Sequence, residues 1–89
     1  MTSTSSPTPA FSFAMPVAIV KSNVSRWTKE TGGLFDAWCV THYAYDTQGI
    51  LRIVGDVVLT HGRYYASRWD GAYEKFAFIE HAEAFIAGK

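Results

Sequence analysis

"ILRIVGDVVLTHGRYYASRWDGAYEKF", residues 50–76, decides the fold of this chain. It is a series of apolar runs of strand length separated by turn residues. "ILRIVGDVVL" (50–59) is rich in Val and Ile and reads as one strand. The "THG" after it suits a three-residue hairpin loop with Gly62 in the left-handed position. "RYYASRW" reads as the next strand. Asp70-Gly71 is the strongest hairpin signal in the chain and leads into "AYEKF". Strands joined one after another by tight turns form an antiparallel meander.

Toward the N-terminus, "LFDAWCVTHYAY" (34–45) reads as a further strand, joined to residue 50 by the turn residues "DTQG". "KSNVSRWTKETGG" before it reads as a polar connection, holding at most a short turn of helix and ended by Gly32-Gly33. In "FSFAMPVAIV" (11–20), Phe11, Phe13, Met15, Val17 and Ile19 alternate with smaller residues. That pattern predicts a strand with one bulky face, and Pro16 places it at a sheet edge. Toward the C-terminus, Phe78, Ala82, Phe85 and Ile86 fall on one stripe at helical spacing, with Glu80, His81 and Glu83 outside it and Gly88 as the stop. The expected fold is α+β and two-layered: an antiparallel meander of about five strands with one C-terminal helix on one face. No internal repeat is visible, and 89 residues make one domain over 11–89. The uncharged Ser/Thr/Pro-rich start, 1–10, reads as a disordered tail.

Turn lengths imply a register, and register implies faces. A four-residue loop at 46–49 pairs Tyr45 with Ile50 and Tyr43 with Arg52. A three-residue loop at 60–62 pairs Val57 with Tyr65 and Ile53 with Trp69. The core face then holds Trp38, Val40, His42, Ala44, Leu51, Ile53, Val57, Leu59, Tyr65, Trp69, Ala72 and Phe76. The opposite face carries Tyr43, Tyr45, Arg52, Tyr64, Arg68, Tyr73 and Lys75, with Cys39, Val54, Asp56, Val58 and Thr60. Those first seven residues are the candidate binding face, since one helix cannot cover both sides of a sheet. Trp27 is a candidate interface anchor, with a lid over the core as its other reading. The competing account of the face is structural: Tyr43–Arg52 and Arg68–Tyr73 would be ordinary cross-strand pairs.

Composition narrows the function class. Eight Lys and Arg balance eight Asp and Glu, which argues against wholesale phosphate neutralisation. Cys39 is the only cysteine, so neither an intrachain disulfide nor a cysteine zinc cluster is expected. The ten-residue apolar run at 11–20 is too short to span a bilayer. No basic residue precedes it and Pro16 interrupts it, so a signal peptide is not expected. The expected location is the cytoplasm, where the Asn23-Val24-Ser25 sequon has no use.

No catalytic or metal motif emerges. Cys39 and His42 fall on opposite faces of a strand and make a poor nucleophile–base pair. His42 reads as a core histidine with a satisfied hydrogen bond, His61 as a turn residue and His81 as a helix-surface residue. No metal and no cofactor is expected, and the absence of carboxylate pairs or a phosphate-binding glycine loop argues against an enzyme.

The leading expectation is a small non-enzymatic interaction module. It docks on a protein partner, its own copy included, as a homodimer would. A compact chain with a short tail also suits a phage or mobile-element accessory protein that inhibits a host complex. Two alternatives stand beside it. One is an open-faced nucleic-acid-binding sheet with Tyr43, Tyr64 or Tyr73 under the bases and Arg52, Arg68 and Lys75 on the phosphates. The other is a ligand-binding or enzymatic homodimer with an aromatic pocket at its interface.

Overall fold

The computed structural model describes residues 11–27 and 37–89. The tail at 1–10, the Gly32-Gly33 turn and the predicted strand start at 34–36 lie outside the described residues. Five strands form one antiparallel sheet in the order β1-β2-β3-β4-β5: β1 (Lys21–Trp27), β2 (Ala37–Tyr45), β3 (Leu51–Thr60), β4 (Arg63–Arg68) and β5 (Tyr73–Phe76). The helix α1 (Ile79–Ala87) follows and packs on one face, over β3, β4 and β5. The meander and its single C-terminal helix are as the sequence predicts. Among the described residues no helix is long and apolar enough to cross a membrane.

The first strand is not where alternation puts it. Residues 11–20 form no strand. They cross the helix side of the sheet as an irregular segment with a cis Met15–Pro16 bond. Phe13 and Val17 are buried there while Met15 is 39% exposed, so the bulky residues do not share one face. The Val17 amide donates to the Ala87 carbonyl and the Val20 amide to the Tyr43 carbonyl, pinning the segment to both layers. The strand is the next stretch, Lys21–Trp27, read above as a polar connection. Lys21 to Arg26 are all exposed, and an edge strand of this kind needs no apolar alternation; charged and polar side chains are what blunt an edge.

Two local features shift the faces from those expected. First, β2 pairs Tyr43 with Ile53 but His42 with Gly55, leaving Val54 as the extra residue of a bulge. Val54 and Gly55 therefore both serve the helix side. Arg52 and Val54 turn toward the helix, and Leu51 and Ile53, expected in the core, turn outward with 42% and 49% exposure. Second, the β3–β4 loop has two residues, not three. Thr60 pairs with Arg63, and His61 (φ 52°) and Gly62 (φ 71°) are both left-handed, the signature of a type I′ turn. Tyr64, Ala66 and Arg68 consequently face the helix, and Tyr65 faces away. The β4–β5 turn is one residue longer than a two-residue Asp-Gly hairpin: the Arg68 amide donates to the Ala72 carbonyl and Tyr64 pairs with Phe76. This second slip cancels the first, so Phe76 packs against the core as expected.

The core lies between sheet and helix. Val54, Val57, Ala66, Ala82 and Ile86 are buried at its centre, with Phe13, Val17 and Ala44 around them. Burying Ile86 completely contributes about 1.5–3 kcal/mol. Phe85 and Phe76 pack ring to ring at 5.5 Å, and Trp69 packs on Phe13 at 5.4 Å. Phe78, expected in the helix stripe, is instead the N-cap residue and is 60% exposed. Trp38 was also expected in the core. It sits on the helix side but beyond the helix, 47% exposed with the Arg26 guanidinium 5.5 Å above its ring. Gly88 (φ 80°) ends the helix, its amide donating to the Phe85 carbonyl and that of Lys89 to the Ala84 carbonyl.

Candidate functional site

The sheet face away from the helix is built in cross-strand rows. One row is Lys21, Tyr43 and Ile53, with Tyr45 and Leu51 beyond it. The next is polar: Asn23, Thr41, Asp56, Ser67 and Tyr73. The third is Ser25, Cys39, Val58, Tyr65 and Lys75. Tyr45, Leu51, Ile53 and Tyr73 are all exposed. Tyr65 stacks on Tyr73 with ring centroids 6.3 Å apart, and Lys21 Nζ lies 5.4 Å from the Tyr43 ring centroid. Five strands about 4.8 Å apart and some six positions along each make a face of roughly 24 by 20 Å. Its exposed large side chains, Tyr45, Leu51, Ile53 and Tyr73, are set around a polar middle row.

Asp56 lies at the middle of this face, on the central strand. Burial pushes its carboxyl above the ordinary carboxylate range, partly offset by His42 on the other side of the sheet. Among the described residues no hydrogen bond or ion pair engages it. Cys39, one row away, is buried, and burial together with the Asp56 charge pushes its thiol up. A buried thiol held up in this way is a weak nucleophile, in keeping with a packing role.

Of the seven residues expected on one face, the sheet brings together Tyr43, Tyr45, Tyr73 and Lys75. Arg52, Tyr64 and Arg68 are on the helix side. Arg52 Nε is 2.6 Å from Asp46 Oδ2, and its guanidinium lies 4.6 Å from the Phe11 ring centroid. Asp46 is itself buried at the β2–β3 turn, where its Oδ1 accepts the amides of Gln48 and Ile50. Burial alone would raise the Asp46 carboxyl, but the Ile50 amide, Arg52 and the Gln48 amide outweigh it and hold the carboxyl low. Arg68 grips Asp70 with two bonds of 2.9 Å, donates to the Phe85 carbonyl and stacks on the Phe85 ring. Both arginines therefore have structural work. The cross-strand pairs Tyr43–Arg52 and Arg68–Tyr73 do not form. Trp27 closes β1 with its backbone paired to Ala37; its reading as a lid or an anchor lies outside the described side chains.

Sequence reasoning placed Leu51, Ile53 and Tyr65 in the core, and all three belong to this outer face. It also passed over a cluster on the helix side. Ser22 Oγ lies 2.7 Å from His42 Nδ1, and His42 Nε2 lies 3.7 Å from Glu83 Oε2. His42 is fully buried, so its hydrogen bond to Ser22 is as expected of a core histidine, but Nε2 has no hydrogen-bond partner. No signal short of the register of β1, absent from the sequence pattern, links residues 22, 42 and 83. Among the described residues no group of three His, Cys, Asp or Glu side chains is set to hold a metal ion.

Comparison with known proteins leaves this geometry to speak for itself: no family model, curated protein or solved structure matches the chain.

Proposed function

We propose that this chain is a protein-interaction module whose outer sheet face docks on a partner presenting a basic side chain within an apolar frame. The observation that carries the reading is Asp56: a half-buried carboxylate in the polar middle row of a face whose flanking rows carry Tyr43, Ile53, Val58 and Tyr65. Closing any surface over that face removes Asp56 from water, which is costly unless the partner supplies a cation. Tyrosine contributes heavily at interface centres, and arginine is its frequent counterpart.

The same residue weighs against the other occupants. Two copies stacked about an axis through the sheet centre would bring two Asp56 carboxylates together, and like charges repel. Nucleic acid would need cations at the centre of the face. Lys21 and Lys75 stand at its margins, while Arg52 and Arg68 are turned away and paired.

The test is affinity capture from a cell lysate, with and without nuclease, using wild type, Asp56→Asn and the helix-side control Val24→Ser. A protein held by wild type and Val24→Ser, resistant to nuclease and released by Asp56→Asn, supports the reading. Loss on nuclease treatment points to nucleic acid. Recovery of the chain alone, strengthened by Asp56→Asn, points to self-association. Capture insensitive to Asp56→Asn overturns the proposal.

A further inference from the structure

On the helix side, three residues from three elements line up: Ser22 on β1, His42 on β2 and Glu83 on α1. We infer that Ser22 is an activated nucleophile, able to take an acyl group from a small ester, with His42 as its general base and Glu83 as the residue that orients the ring. This site shares no residue with the outer face, so the two proposals stand separately.

The geometry carries the assignment. The Ser22 hydroxyl is 2.7 Å from His42 Nδ1, within reach for proton transfer, and Ser22 itself is exposed. His42 is fully buried and cannot swing away from that contact. Its far nitrogen, Nε2, is buried, has no hydrogen-bond partner and lies 3.7 Å from a Glu83 carboxylate oxygen. A carboxylate at that nitrogen favours the tautomer with the proton on Nε2. Nδ1 is then the acceptor, and the Ser22 O–H is the donor. The order of groups, hydroxyl to imidazole to carboxylate, is that of a nucleophilic serine, with the two ring nitrogens exchanged relative to the serine protease arrangement. Burial pushes the His42 pKa down, against the pull of Glu83 on the helix and Asp56 on β3, so the ring is neutral at pH 7 and has a lone pair free to accept the hydroxyl proton.

A groove adjoins the Glu83 end of this row. A groove of about 500 Å³ runs between residues 17–19 and the flank of α1. Val17, Ile19, Ala84 and Ala87 give it an apolar wall, and Glu83 lines it too, so relay and groove share that residue. Residues 17–19 lead directly into β1, which carries Ser22 three positions on. Two further carboxylate and ammonium groups, Glu80 and Lys89, sit at the groove and leave its remaining surface polar. The chemical class that suits an exposed hydroxyl hydrogen-bonded to a neutral imidazole is an ester with a good leaving group. In the step, the Ser22 Oγ–carbon bond forms as the hydroxyl proton passes to His42 Nδ1. The carbon–oxygen bond to the alcohol or phenol breaks, and the leaving oxygen takes that proton or departs as a phenolate while His42 gives the proton to water.

The test uses the full chain and two probes, p-nitrophenyl acetate and an alkyl fluorophosphonate. With the second, the Oγ–phosphorus bond forms, fluoride leaves and the proton goes by way of His42 to water. The expected result is one label per chain, mapped to Ser22 by peptide mass spectrometry, at a rate on the order of a hundredfold or more above that of the urea-unfolded chain. Ser22→Ala abolishes the label. Glu83→Gln, at a half-exposed helix position that leaves the core intact, slows labelling about tenfold and shifts the pH at which the rate falls, which a merely structural Glu83 would not do. The wild-type rate holds down to below pH 6.5, where His42 finally takes a proton. Labelling no faster than in the unfolded chain, or labels on lysine or tyrosine with Ser22 unmodified, overturns the assignment.

Discussion

Replacing Gly55 by alanine should prise the helix from the sheet. An ideal Cβ built there stands 2.6 Å from the Ser67 carbonyl oxygen and 2.9 Å and 3.1 Å from Ile86 Cγ2 and Cγ1. Gly55 does not have a positive φ, so its backbone would accept alanine; space alone forbids it. Ile86 would have to retreat by roughly 0.6 Å or more to reach an unstrained carbon contact of about 3.5 Å. The Ser67 oxygen belongs to the strand paired with this one and cannot move without disturbing β4. Overpacking costs about 1–3 kcal/mol. Alanine recovers about 0.4–1 kcal/mol by restricting the unfolded chain. A clash with backbone as well as side chain belongs at the upper end, so we expect a net loss of about 2 kcal/mol. For a domain of this size that is a fall in Tm of roughly 10–15 °C. Thermal and urea unfolding followed by circular dichroism read it directly. Gly55→Ala with Ile86→Val should lose less than the two single variants summed, because the smaller side chain yields space. A Gly55→Ala protein that melts at or above the wild-type temperature would refute the bulge-to-helix packing described here.

Other expectations concern charge. Asp56→Asn should stabilise the isolated chain by a few degrees, under about 1 kcal/mol, while weakening its partner. The sign follows from the raised carboxyl: its charge costs stability above the folded pKa, and the cost disappears as pH falls below the unfolded value of about 3.9. The gap between wild type and Asp56→Asn in melting scans should therefore close toward pH 4. Asp46 is the opposite case. Its folded pKa is held low, so its contribution is present above the unfolded pKa and lost as pH falls through the folded value. Asp46→Asn should be less stable than wild type at pH 7 and show a flatter acid limb in urea titrations. Buried His42 also has a lowered pKa, so wild-type stability should decline as pH drops below about 6.5, and His42→Gln should lose that slope.

The residues that were readable in the sequence are those whose patterns are local. Asp70-Gly71, the Val/Ile run of β3 and the helical stripe ending at Gly88 each declare themselves within a few positions, and together they suffice for the meander and its helix. The faces were less readable because they depend on single-residue events. His61 adopting φ 52° shortens one loop by a residue, and the Val54–Gly55 bulge adds one to a strand; each reverses the side chains beyond it. Tyr64 and Tyr65 exchange roles for the first reason, and Arg52 and Ile53 for the second. β1 was missed because Lys21–Trp27 gains its place from backbone pairing with β2, and Lys21 to Arg26 stay exposed. Without that strand, Ser22 could not be set beside His42.

The central claim is that the face centred on Asp56 is the working surface of this domain. The most direct measurement replaces Tyr73, and separately the exposed helix-cap residue Phe78, with a photo-crosslinking phenylalanine analogue and irradiates the tagged protein in lysate. The account predicts one discrete protein adduct from position 73, lost when Asp56→Asn is added, and none from position 78. Adducts from position 78 alone, or from both positions with equal yield, would contradict it.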